Sequence, residues 1–60
     1  SIYQGFCDLT LGSIYIKAGK IDEGMELIRR AQSMGVLNSK NIDKESADNL
    51  KKLLDKHYNK

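Results

Sequence analysis

Residues 11–36 read LGSIYIKAGKIDEGMELIRRAQSMGV, and this stretch decides the fold. Its apolar residues recur at intervals of three and four, which is the spacing of a helix face and not the alternation of a strand. Gly19 interrupts this pattern and Gly35 ends it. Because glycine readily takes the left-handed conformation that ends a helix, the stretch predicts two helices joined near Gly19. Working outward, the first helix is predicted over residues 2–18 and the second over residues 21–34.

The second helix has one apolar face and a charge order that suits a helix. Asp22, Glu23 and Glu26 come early and the two arginines come late, which matches the helix dipole. Glycine inside a helix costs about 1 kcal/mol relative to alanine. We therefore expect Gly24 to mark a close approach to the first helix. The predicted apolar face consists of Ile21, Met25, Ile28, Ala31 and Met34.

The first helix is unusual because it has two apolar sides and only two charged residues, Asp8 and Lys17. A surface helix normally has one apolar stripe and a polar back. We therefore expect this helix to have neighbours on both sides, one from this chain and one from outside it. One side consists of Ile2, Phe6, Leu9, Ser13 and Ile16, and the other of Tyr3, Cys7, Leu11, Ile14, Tyr15 and Ala18.

The remaining residues predict a polar connector and a third helix. Asn41 or Asp43 is suited to cap this helix, which is amphipathic and runs to about Tyr58. Its inward residues are expected to be Ala47, Leu50, Leu53, Leu54, His57 and Tyr58. No stretch alternates in the manner of a strand. The sequence therefore predicts an all-α fold, with a helical hairpin over residues 1–36, a connector over 37–42 and an amphipathic helix over 43–60.

Length and composition exclude several classes of protein. Sixty residues with 40% hydrophobic and 30% charged side chains suit one small domain or part of a larger one. No apolar run approaches the roughly 20 residues of a membrane span. The net charge of +2 is too small and too mixed to indicate direct nucleic-acid binding. The single cysteine cannot form an internal disulfide, which favours a reducing, cytoplasmic location. The start at Ser1 indicates processing or a piece of a longer protein.

The sequence contains no recognisable catalytic or metal-binding arrangement. Cys7 and His57 are the only residues of their kinds, so a zinc site cannot close within one chain. A nucleophilic pair would need two helices to bring them together, and we expect instead a core thiol and a partly exposed histidine. The five glycines are dispersed and form no phosphate-binding loop. We therefore predict no enzyme, no cofactor and no metal.

The stretch from Asp8 to Val36 resembles a tetratricopeptide repeat, a helical hairpin that recurs about every 34 residues. The matching residues are Leu11-Gly12, Tyr15, Gly19, Ile28 and Ala31. The sequence departs from the family pattern at Asp8, where an aromatic residue is usual, at Gly24, where alanine is usual, and at Val36, where proline is usual. The third helix is similar to the capping helix that ends such arrays.

The resemblance implies a non-catalytic interaction module that binds a partner helix or peptide through its first helix. The implied binding residues are Ile2, Phe6, Leu9, Ser13, Ile16 and Lys17, with Lys17 orienting the partner at the rim. Neighbouring repeats of a longer parent chain are another possible occupant of this side. Two alternatives stay open at this point. The chain could end a bacterial peptide-responsive transcriptional regulator, or it could be a self-associating segment whose first helices form a homo-oligomer.

Overall fold

The computed structural model describes residues 1–59, which form three α-helices and one short 3₁₀ helix. The elements are α1 (Ile2–Lys17), α2 (Ile21–Ser33), the 3₁₀ helix (Val36–Asn38) and α3 (Lys44–Tyr58). No strand occurs among these residues. The predicted all-α fold is confirmed, and the predicted bounds of the first two helices lie within one residue of the observed ones. The third helix is predicted over residues 43–60, and its last predicted residue lies outside the described residues.

The turn between α1 and α2 is fixed by hydrogen bonds around Gly19. Its φ of +87° lies in the left-handed region. The Gly19 N–H donates to the carbonyl of Ile16 at 3.0 Å, and the Lys20 N–H donates to that of Tyr15 at 2.9 Å. This pair of bonds is the Schellman motif, which satisfies carbonyls that the end of a helix leaves free. Gly35, with φ of +85°, ends α2 in the same left-handed conformation.

Two glycines allow α1 and α2 to pack closely. A Cβ added to Gly24 would lie 2.5 Å from Ile16 Cγ1 and 2.7 Å from the Gly12 carbonyl oxygen. A Cβ added to Gly12 would lie 2.8 Å from the Gly24 carbonyl oxygen. These distances leave no room for a larger residue at either position. The close approach predicted for Gly24 is therefore confirmed, and Gly12 faces it on α1.

The helix α3 begins at a side-chain cap and packs against α2 and the 3₁₀ helix. The Ser46 N–H donates to the carboxylate of Asp43 at 3.0 Å. This hydrogen bond, which favours the charged form, lowers the pKa of Asp43 from its ordinary value of 3.8. Lys51 Nζ donates to Asn38 Oδ1 at 3.0 Å and links α3 to the 3₁₀ helix. In residues 1–59, no Cα atom of α3 lies within 8 Å of a Cα atom of α1.

The hydrophobic core lies around α2, which contacts every other helix. Its main cluster contains Met25, Ile28, Leu37, Ala47 and Leu54, with Leu9, Ile16, Ile42 and Leu50 packed around it. Leu37 comes from the segment predicted as a polar connector, so that segment contributes to the core. Two residues predicted to face inward from α3, Leu53 and Tyr58, remain 39% and 44% exposed. None of the helices in residues 1–59 reaches the length and hydrophobicity needed to cross a membrane.

Candidate interaction surface

The two sides of α1 have different environments in the folded chain. Its buried residues are Gly5, Asp8 and Gly12, which lie on the side that faces α2 and the 3₁₀ helix. On the opposite side, Tyr3 is 82% exposed and Ile14 is 55% exposed. Large apolar side chains therefore remain open to solvent on the side of α1 that faces away from the molecule.

The six residues predicted to bind a partner do not share one open face. Leu9 and Ile16 pack against the core cluster, and Ile16 also contacts Gly24. Ser13 is partly buried, and its hydroxyl donates to the Leu9 carbonyl at 3.0 Å. Ile2 and Phe6 are partly buried as well, whereas Lys17 is exposed. The glycine contact between α1 and α2 turns Leu9 and Ile16 inward, because both lie within one helical turn of Gly12.

We define the outer face of α1 by the six residues that lie together on its solvent side, Tyr3, Phe6, Cys7, Thr10, Leu11 and Ile14. All of these except Tyr3 line a shallow depression. The Thr10 hydroxyl donates to the Phe6 carbonyl at 3.0 Å, so its one hydrogen-bond donor is already used. Leu11 is 41% exposed beside it. The outer face is therefore mainly apolar.

The outer face also carries no charge, because the one acidic residue of α1 points inward. Asp8 is 9% exposed, and its Oδ2 lies 3.6 Å from Arg30 Nε on α2. The same oxygen accepts no hydrogen bond. Lys17, the other charged residue of α1, lies almost one turn beyond Ile14. A partner on these six residues would meet apolar and neutral side chains, and the exposed Lys17 would lie at the end of the contact.

The structure does not bring Cys7 and His57 together. Cys7 is exposed on α1, so the prediction of a core thiol is wrong. His57 lies on α3, which has no Cα atom within 8 Å of a Cα atom of α1, and its Nε2 is 3.5 Å from Asp22 Oδ1 at the start of α2. Among residues 1–59, no cluster of three or more potential metal ligands occurs.

A second surface depression lies between α2 and α3, but its charged groups already have partners within the chain. Arg29 binds the Glu26 carboxylate at 2.7 Å, and this pairing raises the pKa of Arg29 above its ordinary value. Asp55 accepts a hydrogen bond from Asn59 at 2.6 Å. The Tyr58 ring lies under the Arg29 guanidinium at 5.5 Å. The outer face of α1 is the more distinctive surface, since its apolar side chains have no such partners.

The chain matches no protein-family model, no curated protein and no solved structure.

Proposed function

We propose that this chain is a non-catalytic interaction module that binds an apolar helix through the outer face of α1. The observation that carries the proposal is an uncharged row of exposed apolar side chains on a well-packed helix. From Tyr3 to Ile14 the row spans about 16 Å, which is three turns of a helix. Partner helices are commonly recognised through anchors spaced in this way, at intervals of three and four residues.

Binding would bury side chains that the folded chain leaves in water. Tyr3 is 82% exposed, Ile14 55% and Leu11 41%. Fully burying a side chain of the size of leucine or isoleucine contributes about 1.5–3 kcal/mol, so these residues could supply most of the binding free energy. The depression between them suits an aliphatic side chain from the partner. No lost ion pair would oppose this burial, because the outer face carries no charge.

The proposal includes a tetratricopeptide-like architecture and a reducing, cytoplasmic location. The contact between Gly12 and Gly24 and the turn at Gly19 support the first, because these residues occupy the positions that the resemblance assigns to helix packing and to the turn. The exposed thiol of Cys7 supports the second, since an unpaired surface thiol is best maintained under reducing conditions. Of the six residues predicted from the sequence to bind a partner, the proposed set keeps only Phe6. It replaces the other five, Ile2, Leu9, Ser13, Ile16 and Lys17, by Tyr3, Cys7, Thr10, Leu11 and Ile14.

A neutral helical probe tests this function. We suggest a synthetic amphipathic peptide of leucine, alanine and glutamine, titrated into the ¹⁵N-labelled 60-residue chain. Amide shift changes are expected to concentrate on the outer face of α1. Leu11→Glu should weaken binding at least tenfold, because it places a charge in the apolar row.

Leu53→Glu is the matched control, since Leu53 on α3 is 39% exposed and Leu11 is 41% exposed. Binding by this variant should stay within twofold of the unmodified chain, and circular dichroism should show the same helical content for both variants. Equal weakening by the two substitutions, or shift changes confined to α3, would contradict the proposal.

A further inference from the structure

We propose that the partner is a second copy of this chain, whose α1 lies antiparallel to the first across a two-fold axis. This inference rests on the proposed function, because it names the occupant of the same outer face. It follows from the order of the residues along that face, which suits a copy of itself in the reverse direction.

Four residues form the centre line of the outer face. Tyr3, Cys7, Thr10 and Ile14 are separated by four, three and four positions, which is the spacing of a coiled-coil seam. The midpoint of this row lies between Cys7 and Thr10. In an antiparallel pair with its two-fold axis at that midpoint, Tyr3 meets Ile14 of the second copy, and Cys7 meets Thr10 of the second copy. Each contact occurs twice, as an isologous interface requires.

The sizes of these side chains agree with this register. The small residues Cys7 and Thr10 occupy the two central layers, and the large residues Tyr3 and Ile14 occupy the two outer layers. A two-fold axis places identical residues on the same edge of the seam. The two Phe6 side chains would therefore lie along one edge and the two Leu11 side chains along the other, so that apolar groups cover both edges.

Electrostatics and access also favour a second copy. The four seam residues carry no charge, so pairing them brings no like charges together. Lys17, the next residue of the row, lies beyond the outer layer that Ile14 forms. Antiparallel helices also place opposite dipole ends side by side. The rest of the molecule lies behind α1, because Gly12 on the opposite side packs on α2. A second copy can therefore approach the seam without meeting α2 or α3 first.

The extent of the seam sets the expected strength of the dimer. A single helix face about 16 Å long provides less contact area than the roughly 800 Å² that each partner buries in a stable complex. We therefore expect a weak, reversible dimer that dissociates on dilution. Sedimentation equilibrium of the 60-residue chain, from low micromolar to millimolar concentration, should show a monomer–dimer equilibrium with no added ligand.

Charge variants at the outer layers test the antiparallel register. Tyr3→Glu combined with Ile14→Lys removes two apolar contacts but places opposite charges together in both outer layers, so it should dimerise more than tenfold more tightly than either of the two like-charge variants. Tyr3→Lys combined with Ile14→Lys places like charges together and should weaken the dimer more than tenfold. Tyr3→Glu combined with Ile14→Glu should also weaken the dimer more than tenfold. Because the two like-charge variants change the net charge in opposite directions, equal weakening would show that repulsion between the paired residues, and not the net charge, is the cause. Both positions are more than half exposed, so helical content should not change.

Several outcomes would overturn the inference. A parallel pair would place residue 3 against residue 3, so equal weakening by all three double variants would exclude the antiparallel register. A chain that stays monomeric at every concentration would exclude the second copy as partner. If that monomer still binds the neutral peptide on α1, the proposed function stands with a different occupant. If it binds neither, the proposed function fails as well.

Discussion

Among single residues, Asp8 is a nearly buried charge that an arginine on the neighbouring helix compensates. The residue is 9% exposed, and within residues 1–59 its one ion pair is with Arg30, at 3.6 Å. Removing one partner of a buried pair leaves the other charge without compensation, which destabilises a protein more than loss of an exposed pair. The position of Asp8 on the inward side of α1 keeps its charge off the outer face, and Arg30 balances that charge.

This arrangement predicts different effects for two neighbouring arginines. Arg30→Ala should lower the free energy of unfolding by about 1–2 kcal/mol. This is less than the loss of a partner from a fully buried pair costs, because the Arg30 side chain is 49% exposed. Arg29→Ala should have a smaller effect, although Arg29 lies only 2.7 Å from Glu26. Both side chains of that pair are more than half exposed, so solvent screens their attraction. Urea unfolding of the two variants checks this order, and a larger loss for Arg29→Ala would show that Asp8 does not depend on Arg30.

The inward side of α1 illustrates what could be predicted at this scale. Both sides of the helix contain large apolar residues, so hydrophobicity alone could not identify the one that packs on α2. The small residues contain that information, because Gly12 must face α2 for the helices to approach. Leu9 and Ile16 lie three and four positions from Gly12 and therefore point the same way. Applied to the whole helix, this signal would have placed Leu11 and Ile14 on the outer face.

Among the elements, the helix boundaries were predictable because their signals are local. A left-handed glycine or a capping carboxylate acts on backbone groups within four residues, and Gly19, Gly35 and Asp43 all do so here. The 3₁₀ helix was not predictable in the same way. Its residues follow Gly35 in a segment that looks polar, and only the position of α3 over α2 makes a buried site for Leu37.

The stability of α3 depends on pH, because the carboxylate of Asp43 caps its first turn. The pKa of Asp43 is lowered in the folded chain, mainly by the hydrogen bond from the Ser46 backbone N–H. A lowered folded-state pKa stabilises the fold above the ordinary value of 3.8, and the contribution is lost as pH falls through the lowered value. The melting temperature should therefore fall as the solution is acidified below about pH 4.

Asp43→Asn isolates this effect, because asparagine caps a helix about as well as aspartate but does not titrate in this range. At neutral pH the variant should melt close to the unmodified chain. In acid it should lose less helical circular dichroism than the unmodified chain does. Identical acid transitions for the two proteins would mean that other carboxylates determine the pH dependence.

For the whole molecule, the dimensions indicate a compact chain with excess surface. The radius of gyration is 10.5 Å, and a globular chain of 60 residues is expected to have about 10.4 Å. The accessible surface of 4282 Å² exceeds the roughly 3,950 Å² expected for a monomer of this mass. This excess is consistent with a surface on α1 that the chain itself does not cover.

A core this small should not tolerate loss of one large side chain. Ile28 is 1% exposed, and replacing a buried isoleucine by alanine costs about 2–5 kcal/mol. The total stability expected for 60 residues is only about 3–9 kcal/mol. Ile28→Ala should therefore leave much of the chain unfolded at room temperature, as measured by circular dichroism and urea titration.

Ile14→Ala provides the comparison, because it makes the same chemical change at a side chain that is 55% exposed. At concentrations where the chain is monomeric, it should change the free energy of unfolding by no more than about 0.5 kcal/mol. A similar loss for both variants would mean that Ile14 is covered within the monomer.

The absence of close backbone contact between α1 and α3 in residues 1–59 has a consequence for the speed of folding. α1 and α3 each pack on α2, which lies between them in the chain, so most helix contacts join elements that are close in sequence. Small helical proteins whose contacts join nearby parts of the chain fold in microseconds to milliseconds. We expect the same here, so that a chain released from a partner and transiently unfolded regains its binding surface almost at once.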